Sequence, residues 1–433
     1  MAQEETLQHW RGNIYLFLTS QFFTGITSMI VQYAIIWYLT KATGSATILS
    51  LATLLGMLPM VLLSPFVGPY VDRLNKKLLL IVPDIVAALV AIVLAAVGLW
   101  QGDFPVWLIF ISLLVRSIAQ TFQMPTVQSI LPTMVPATQL TKINGQLGMV
   151  QSANFIIAPA LGAFLFALMP LPFLILFDVL GAIIGVSILT FVRIPEHPKA
   201  TGKAHVLADS KQGLALLRAK KGLWQITLMG TFFTLVFVPA MSLYPLMTID
   251  HFRGTVGQAG LVEVVYSVGA LVGGMIIGFL GNWSDRMKPI FGATVVLGLL
   301  VGFCGLLPGN RTGFWWFVAL NTVVGLATPF FNTLLMAMIQ QSYPPENLGK
   351  VLGIMNALMS LAGPIGLIFA GPLADKIGVA RLFLIAGVGT LFCGAFLWLN
   401  KTTWQYDRQL QASLKKPQDT LETKATINTT DVE

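Results

Sequence analysis

Twelve apolar stretches constrain this chain more than any motif in it. They cover 12–39, 47–70, 78–99, 105–131, 138–168, 171–193, 223–248, 256–281, 289–307, 312–340, 351–374 and 381–399. A helix needs about 20 mostly apolar residues to cross the hydrocarbon layer, and only helices and closed barrels satisfy their own backbone hydrogen bonds there. The expected fold class is therefore an all-α membrane protein of twelve transmembrane helices, several long enough to tilt. Composition agrees, since 55% of the 433 residues are hydrophobic and 10% charged, against roughly a quarter charged in soluble domains. The first stretch follows a polar segment, exceeds a signal-peptide core and lacks a small-residue cleavage site, so it is expected to remain as helix 1.

A net charge of +8 raises nucleic acid as a partner, but the basic residues are distributed by loop and form no single patch. With the N-terminus inside, twenty of the 26 Lys and Arg fall on the cytoplasmic side, five fall outside, and Arg116 lies within a span. The positive-inside rule then puts both termini in the cytoplasm. Cys304 and Cys393 both lie in spans and the four histidines are scattered, which excludes a disulfide framework and a Cys/His metal site.

The apolar pattern lapses once, at 194–222, which divides the chain into six-helix bundles at 1–193 and 223–400. Within this seam, 208–223 starts at Asp209-Ser210 and continues with Leu214, Leu217 and basic residues, the pattern of a short amphipathic helix on the inner membrane surface. The polar, Thr-rich tail at 401–433 is expected to be disordered and cytoplasmic. The bundles resemble each other. Gly68-Pro-Tyr-Val-Asp72-Arg73 matches Gly281-Asn-Trp-Ser-Asp285-Arg286, Pro136 through Lys142 matches Pro344 through Lys350, and Pro159 matches Pro364, at offsets of 213, 208 and 205 residues. Such duplication marks many secondary transporters. A further copy, Gly371-Pro-Leu-Ala-Asp375-Lys376, closes helix 11 and fits an inverted three-helix repeat within each half.

Polar stripes at helical spacing identify the helices that face a wet cavity. Helix 1 carries Gln21, Thr24, Ser28 and Gln32; helix 4 carries Ser112, Arg116, Gln120 and Gln123; helix 7 carries Thr227, Thr231 and Thr234; helix 10 carries Asn321, Thr328 and Asn332. Interhelical hydrogen bonding is the competing explanation for any single Ser or Thr. Taken together, the stripes fall on helices 1, 4, 7 and 10, the first helix of each three-helix unit, and predict a substrate cavity among them.

Charges within spans cost at least about 2.5 to 3.5 kcal/mol and rarely stand unpaired. Arg116, Asp178, Glu263 and Asp84 are the candidates, and a carboxylate held between desolvating surroundings and a cation is suited to proton exchange. A static ion pair explains Asp178 with Arg116 equally well, and a helix cap explains Asp84. Gly68, Asp72, Arg73 and Lys77, with the copy at Gly281, Asp285 and Arg286, predict a conformational latch at the inner face beyond their role as topology anchors. In helix 5, Asn154-Phe-Ile-Ile-Ala158-Pro159-Ala160-Leu161-Gly162-Ala163 predicts a kink with close helix packing, repeated at Gly363-Pro364-Ile365-Gly366.

These residues resemble the major facilitator superfamily over nearly the whole chain, and most closely its macrolide-efflux branch of drug:proton antiporters. Gly68-Pro-Tyr-Val-Asp72-Arg73-Leu-Asn-Lys76-Lys77 is similar to the loop 2-3 motif, Arg116-Ser-Ile-Ala-Gln120 to the helix 4 motif whose arginine is implicated in proton coupling, and the helix 5 segment to the antiporter motif, with Ala158 and Ala163 where glycines are common. The macrolide-efflux likeness rests on Ala34-Ile-Ile-Trp37-Tyr-Leu-Thr40, Thr43-Gly-Ser-Ala46, Phe177-Asp178-Val-Leu-Gly-Ala182, Val192-Arg-Ile-Pro195 and Ala374-Asp375-Lys376-Ile-Gly378.

The resemblance implies a multi-pass protein of a bacterial cell membrane. It would work as a monomer, export hydrophobic or amphipathic small molecules against an inward flow of protons, and need no cofactor. Siderophore exporters and lysophospholipid transporters share much of the pattern, and a receptor of the same fold would bind without transport. The chain has no Gly-x-x-x-x-Gly-Lys-Ser/Thr phosphate loop, which leaves ATP drive only to a partner subunit, and no nucleophile or metal constellation that would make it an enzyme.

Overall fold

The computed structural model describes residues 10–71, 74–136, 139–194, 206–280 and 285–413, and among them every regular element is helical. Twelve helices are long and apolar enough to span a membrane: α1 Trp10–Thr43, α2 Ala46–Val71, α3 Lys76–Gln101, α4 Val106–Met134, α5 Leu140–Leu168, α6 Leu171–Phe191, α7 Lys221–His251, α8 Val256–Leu280, α9 Met287–Cys304, α10 Arg311–Ser342, α11 Pro345–Ile377 and α12 Val379–Leu399. Each expected span finds its helix, and several extend past the expected ends because polar residues continue the helix beyond the apolar stretch.

Local chemistry sets several boundaries. The Asn75 side chain accepts from the backbone N–H groups of Lys77 and Leu78 at the start of α3, and Asn310 accepts from Gly313 N at the start of α10. Gly102 ends α3 in the left-handed conformation that glycine adopts without strain. α6 breaks at Leu176 into Leu171–Ile175 and Phe177–Phe191, and α7 closes in a π-helical turn, Met247–His251.

The packing of the first six helices recurs in the last six. α1 lies against α5 and α6, α2 against α4, and α3 against α4 and α6; correspondingly α7 lies against α11 and α12, α8 against α10, and α9 against α10 and α12. The duplication seen in sequence is thus a duplication of interfaces. Each half has its own apolar core, for example Ile30, Leu94, Ile109 and Leu174 in the first and Phe237, Leu297, Phe317 and Phe383 in the second. The halves join along α2 with α11 and α5 with α8.

The helix ends that carry Lys76, Lys77, Arg193, Arg218, Lys221, Arg286 and Lys350 form one end of the molecule, here the basic end; the other is the far end. At the far end Trp100, Trp107, Trp315 and Trp316 are all exposed. They form the aromatic belt expected where a membrane protein meets the interface, while Leu89, Ile92, Val93 and Phe392 are exposed along the spans between the two ends.

Two expectations need correction. The amphipathic helix of the seam spans Val206–Ala219, not 208–223, because the chain breaks at Lys220 before α7 begins. The tail is helical over 401–413 instead of disordered from its start. Thr403 and Asp407 are buried there, Trp404, Tyr406 and Leu410 pack against the basic-end core of the second half, and Trp404 Nε1 donates to Leu397 O at 2.8 Å. Polar composition concealed a helix that has one packed face.

Candidate functional site

α1, α4 and α6 converge on a charge pair from which solvent is excluded. Arg116 of α4 and Asp178 of α6 form a direct ion pair, their side chains 3% and 1% exposed. Ser28 of α1 completes the cluster: its Oγ donates to Asp178 Oδ1 at 3.2 Å, and its carbonyl oxygen accepts from Arg116 Nη2 at 3.1 Å. The break at Leu176 has a local consequence, since it puts Asp178 in the first turn of Phe177–Phe191. Unpaired N–H groups there favour a negative charge. A buried pair contributes little net stability, yet removing one partner strands the other, so the cluster is a place where adding or removing one proton has a large effect.

The other two membrane carboxylates have different surroundings. Asp84 of α3 is buried and accepts from Gln123 Nε2 of α4 at 2.6 Å. Glu263 of α8 is half-buried and accepts from the Tyr33 hydroxyl of α1 at 2.8 Å, a bond between the two halves.

The far end carries a further polar contact between the halves. Asp375, in the last turn of α11, caps the start of α2: its carboxylate accepts from Ala46 N at 2.6 Å, Thr47 N at 3.0 Å and Ser45 Oγ at 2.9 Å. Gly371, one turn earlier, lets α11 approach Ser50 and Thr47 so closely that a methyl group there would collide with them. Gly260 of α8 likewise admits Ala163 and the Pro159 carbonyl of α5. Among the described residues, every hydrogen bond between the halves lies toward the far end. The described polar contacts between the halves thus close the far end.

The Major Facilitator Superfamily model matches residues 17–306 and 239–425 of the chain. The chain belongs to the major facilitator superfamily. It is 37% identical over 385 residues to macrolide efflux protein A of Streptococcus pyogenes, covering 88% of this chain and 94% of that one. It is 25% identical over 396 residues to the multidrug efflux pump Tap of Mycolicibacterium fortuitum, covering 89% and 94%. Among solved structures, a bacterial homologue of the iron transporter ferroportin in its inward-facing state superposes with a TM-score of 0.71 at 14% identity, covering 91% of this chain and 98% of that one. The protein is accordingly a superfamily efflux transporter of the macrolide-efflux branch, a multi-pass protein of the cell membrane and not an enzyme.

Within this superfamily fold the polar stripes divide. Gln21, Ser28, Gln32, Gln123, Thr231, Thr234 and Thr328 are half-buried, and Gln120 and Asn332 are exposed. Thr24, Ser112, Thr227 and Asn321 are buried, which removes them from a cavity wall in this state. Thr24 rests against Gly185 of α6, and Asn321 donates to Phe317 O at 2.8 Å. Thr24, Thr227, Thr231, Thr234 and Thr328 each donate to the carbonyl four residues earlier, so much of the threonine pattern satisfies its own helix. Helical period identifies a shared face without identifying what that face meets.

The described members of the inner latch act within their own halves. Lys77 Nζ donates to the carbonyl oxygens of Thr190 and Val192, at 2.9 and 3.1 Å, where α6 ends. Arg286 binds Gln341 through its guanidinium, and its backbone N–H donates to Asp407 Oδ2 at 2.8 Å. Burial raises the proton affinity of Asp407 and the neighbouring guanidinium opposes this. Asp285 lies 3.7 Å from Lys288. Gly68 falls within α2, while Asp72, Arg73 and Gly281 lie outside the described residues. α5 and α11 run unbroken through Pro159 and Pro364, so neither proline ends its helix; Gly162 brings α5 against Trp37 and the Ile30 backbone of α1.

Tyr33, Tyr244 and Tyr266 around Glu263, the capping role of Asp375, and Asp407 escape the sequence reading. Only Asp375 left a signal, as the third copy of the Gly-x-x-x-Asp spacing.

Proposed function

We propose that this transporter exports hydrophobic or amphipathic small molecules, of which macrolide-like compounds are one class, by exchanging them for protons. Arg116, Asp178 and Ser28 carry this reading, because they form a buried charge cluster at the junction of three helices. A proton delivered to Asp178 cancels its attraction for Arg116, and the freed guanidinium must find new partners, which shifts α4 relative to α1 and α6. Asp84 on Gln123 is a second group able to take part, nearer the basic end. With that end in the cytoplasm, the closed far end supports reading this as an inward-facing state. The return to the outward-open state breaks the Asp375 cap and engages the loops after α2 and α8.

Everted membrane vesicles test the coupling. A macrolide should accumulate when the vesicle interior is acid, and a protonophore should abolish the accumulation. Asp178→Asn should remove gradient-driven uptake while the purified protein remains monodisperse. Uptake indifferent to the protonophore would end the antiport reading, and undiminished uptake by the variant would remove Asp178 from it.

A further inference from the structure

Glu263 is unlike the other carboxylates in the membrane. Asp178 has Arg116, and Asp84 is buried on Gln123, whereas Glu263 is half-buried and, among the described residues, no Lys or Arg pairs with it. Its surroundings are phenolic. Tyr33 donates to Oε1 at 2.8 Å. The Tyr244 hydroxyl lies beside the carboxylate without completing a well-formed hydrogen bond. Tyr266 follows one helical turn later, its hydroxyl 3.4 Å from Thr328 Oγ1. All three tyrosines are half-buried. The ring of Tyr33 is held in place from behind, stacked on Trp37 with centroids 5.5 Å apart and planes 23° apart, and Trp37 is itself fully buried against Phe166.

We propose that Glu263, with the rings of Tyr33, Tyr244 and Tyr266, is a recognition site for the ammonium group of a cationic amphipathic substrate. The proposal rests on the efflux reading above and names the part of the substrate bound. A half-buried carboxylate in a low-dielectric span attracts a counter-charge, and aromatic rings beside it favour an organic cation, whose charge is spread and weakly hydrated, over a small inorganic one. A divalent metal is a poorer fit, because it takes several oxygen or nitrogen ligands and no cluster of three His, Cys, Asp or Glu occurs among the described residues. The site also has a direction built in. Tyr33 belongs to the first half and the remaining groups to the second, so the site is whole only while the far end is closed. Opening that end separates Tyr33 from Glu263 and weakens the hold on the cation where it is to be released.

The test compares two probes of similar size on the full-length protein in lipid nanodiscs: tetraphenylphosphonium, permanently charged, and triphenylphosphine oxide, neutral. The wild type should favour the cation. Glu263→Gln should weaken cation binding about tenfold or more, with the affinity for the oxide within about twofold of wild type. Tyr33→Phe, which keeps the ring, should bind the cation better than Tyr33→Ala. Unchanged cation affinity in Glu263→Gln, or equal loss for both probes, would overturn the site. Macrolide export by cells carrying the wild type is measured in parallel. Export without any dependence of cation binding on Glu263 sinks this inference alone, whereas absence of export for every compound sinks the efflux reading.

Discussion

Arg116 and Asp178 show how a single pair divides stability from function. Their attraction offsets the cost of removing two charges from water without much surplus. Arg116→Met should therefore destabilise the protein by about 3 to 5 kcal/mol, because Asp178 is left charged and buried. Adding Asp178→Leu to that variant should recover most of the loss, measured as the melting temperature in detergent, and should not restore gradient-driven transport. A double variant no more stable than the single one would mean that the pair holds the bundle together. Both residues are conspicuous in the sequence as charges inside spans. Their pairing is not, because it depends on α6 breaking at Leu176 and turning Asp178 toward α4.

At the scale of elements, the α11 terminus acts on α2 as a detachable cap. Asp375 takes up two backbone N–H groups and a hydroxyl at the start of α2, and such a cap contributes about 0.5 to 2 kcal/mol. Asp375→Ala should shift the population away from the far-end-closed state by that amount, roughly a factor of 2 to 30, read as increased labelling of a cysteine placed at Thr47. Labelling equal to that of the parent would remove Asp375 from the gate. The tail helix makes a comparable attachment at the basic end through Asp407 and Trp404. Removing residues 401–433 should lower the melting temperature by several degrees, since it uncovers part of the second half's core and leaves Arg286 without Asp407. Sequence reading missed this helix because hydropathy detects spans, and a short helix with one packed face falls below that signal.

For the whole molecule, the repeated interfaces imply that each half moves as a unit, with α2 against α11 and α5 against α8 as the surfaces that open and close. A disulfide across one of them should stop the cycle. Replacing Ser45 and Asp375, whose side chains lie 2.9 Å apart across the halves at the far end, with cysteines and oxidising should arrest transport, and a reductant should restore it. The native Cys304 and Cys393 are both buried, so background cross-linking should be small. Transport that continues in the fully cross-linked protein would show that the far end need not open.

The sequence by itself determined the number of spans, their helical character, the two-fold duplication and the list of charges that the membrane makes expensive, because each follows from a short-range property: apolar length, spacing or composition. Only the tertiary structure decided which polar groups meet. Ser28 reaches Asp178 across 150 positions, Tyr33 reaches Glu263 across 230 and Ser45 reaches Asp375 across 330. Helical periodicity assigns a residue to a face, whereas the neighbour of that face depends on how twelve helices pack, and on which end of the molecule is closed.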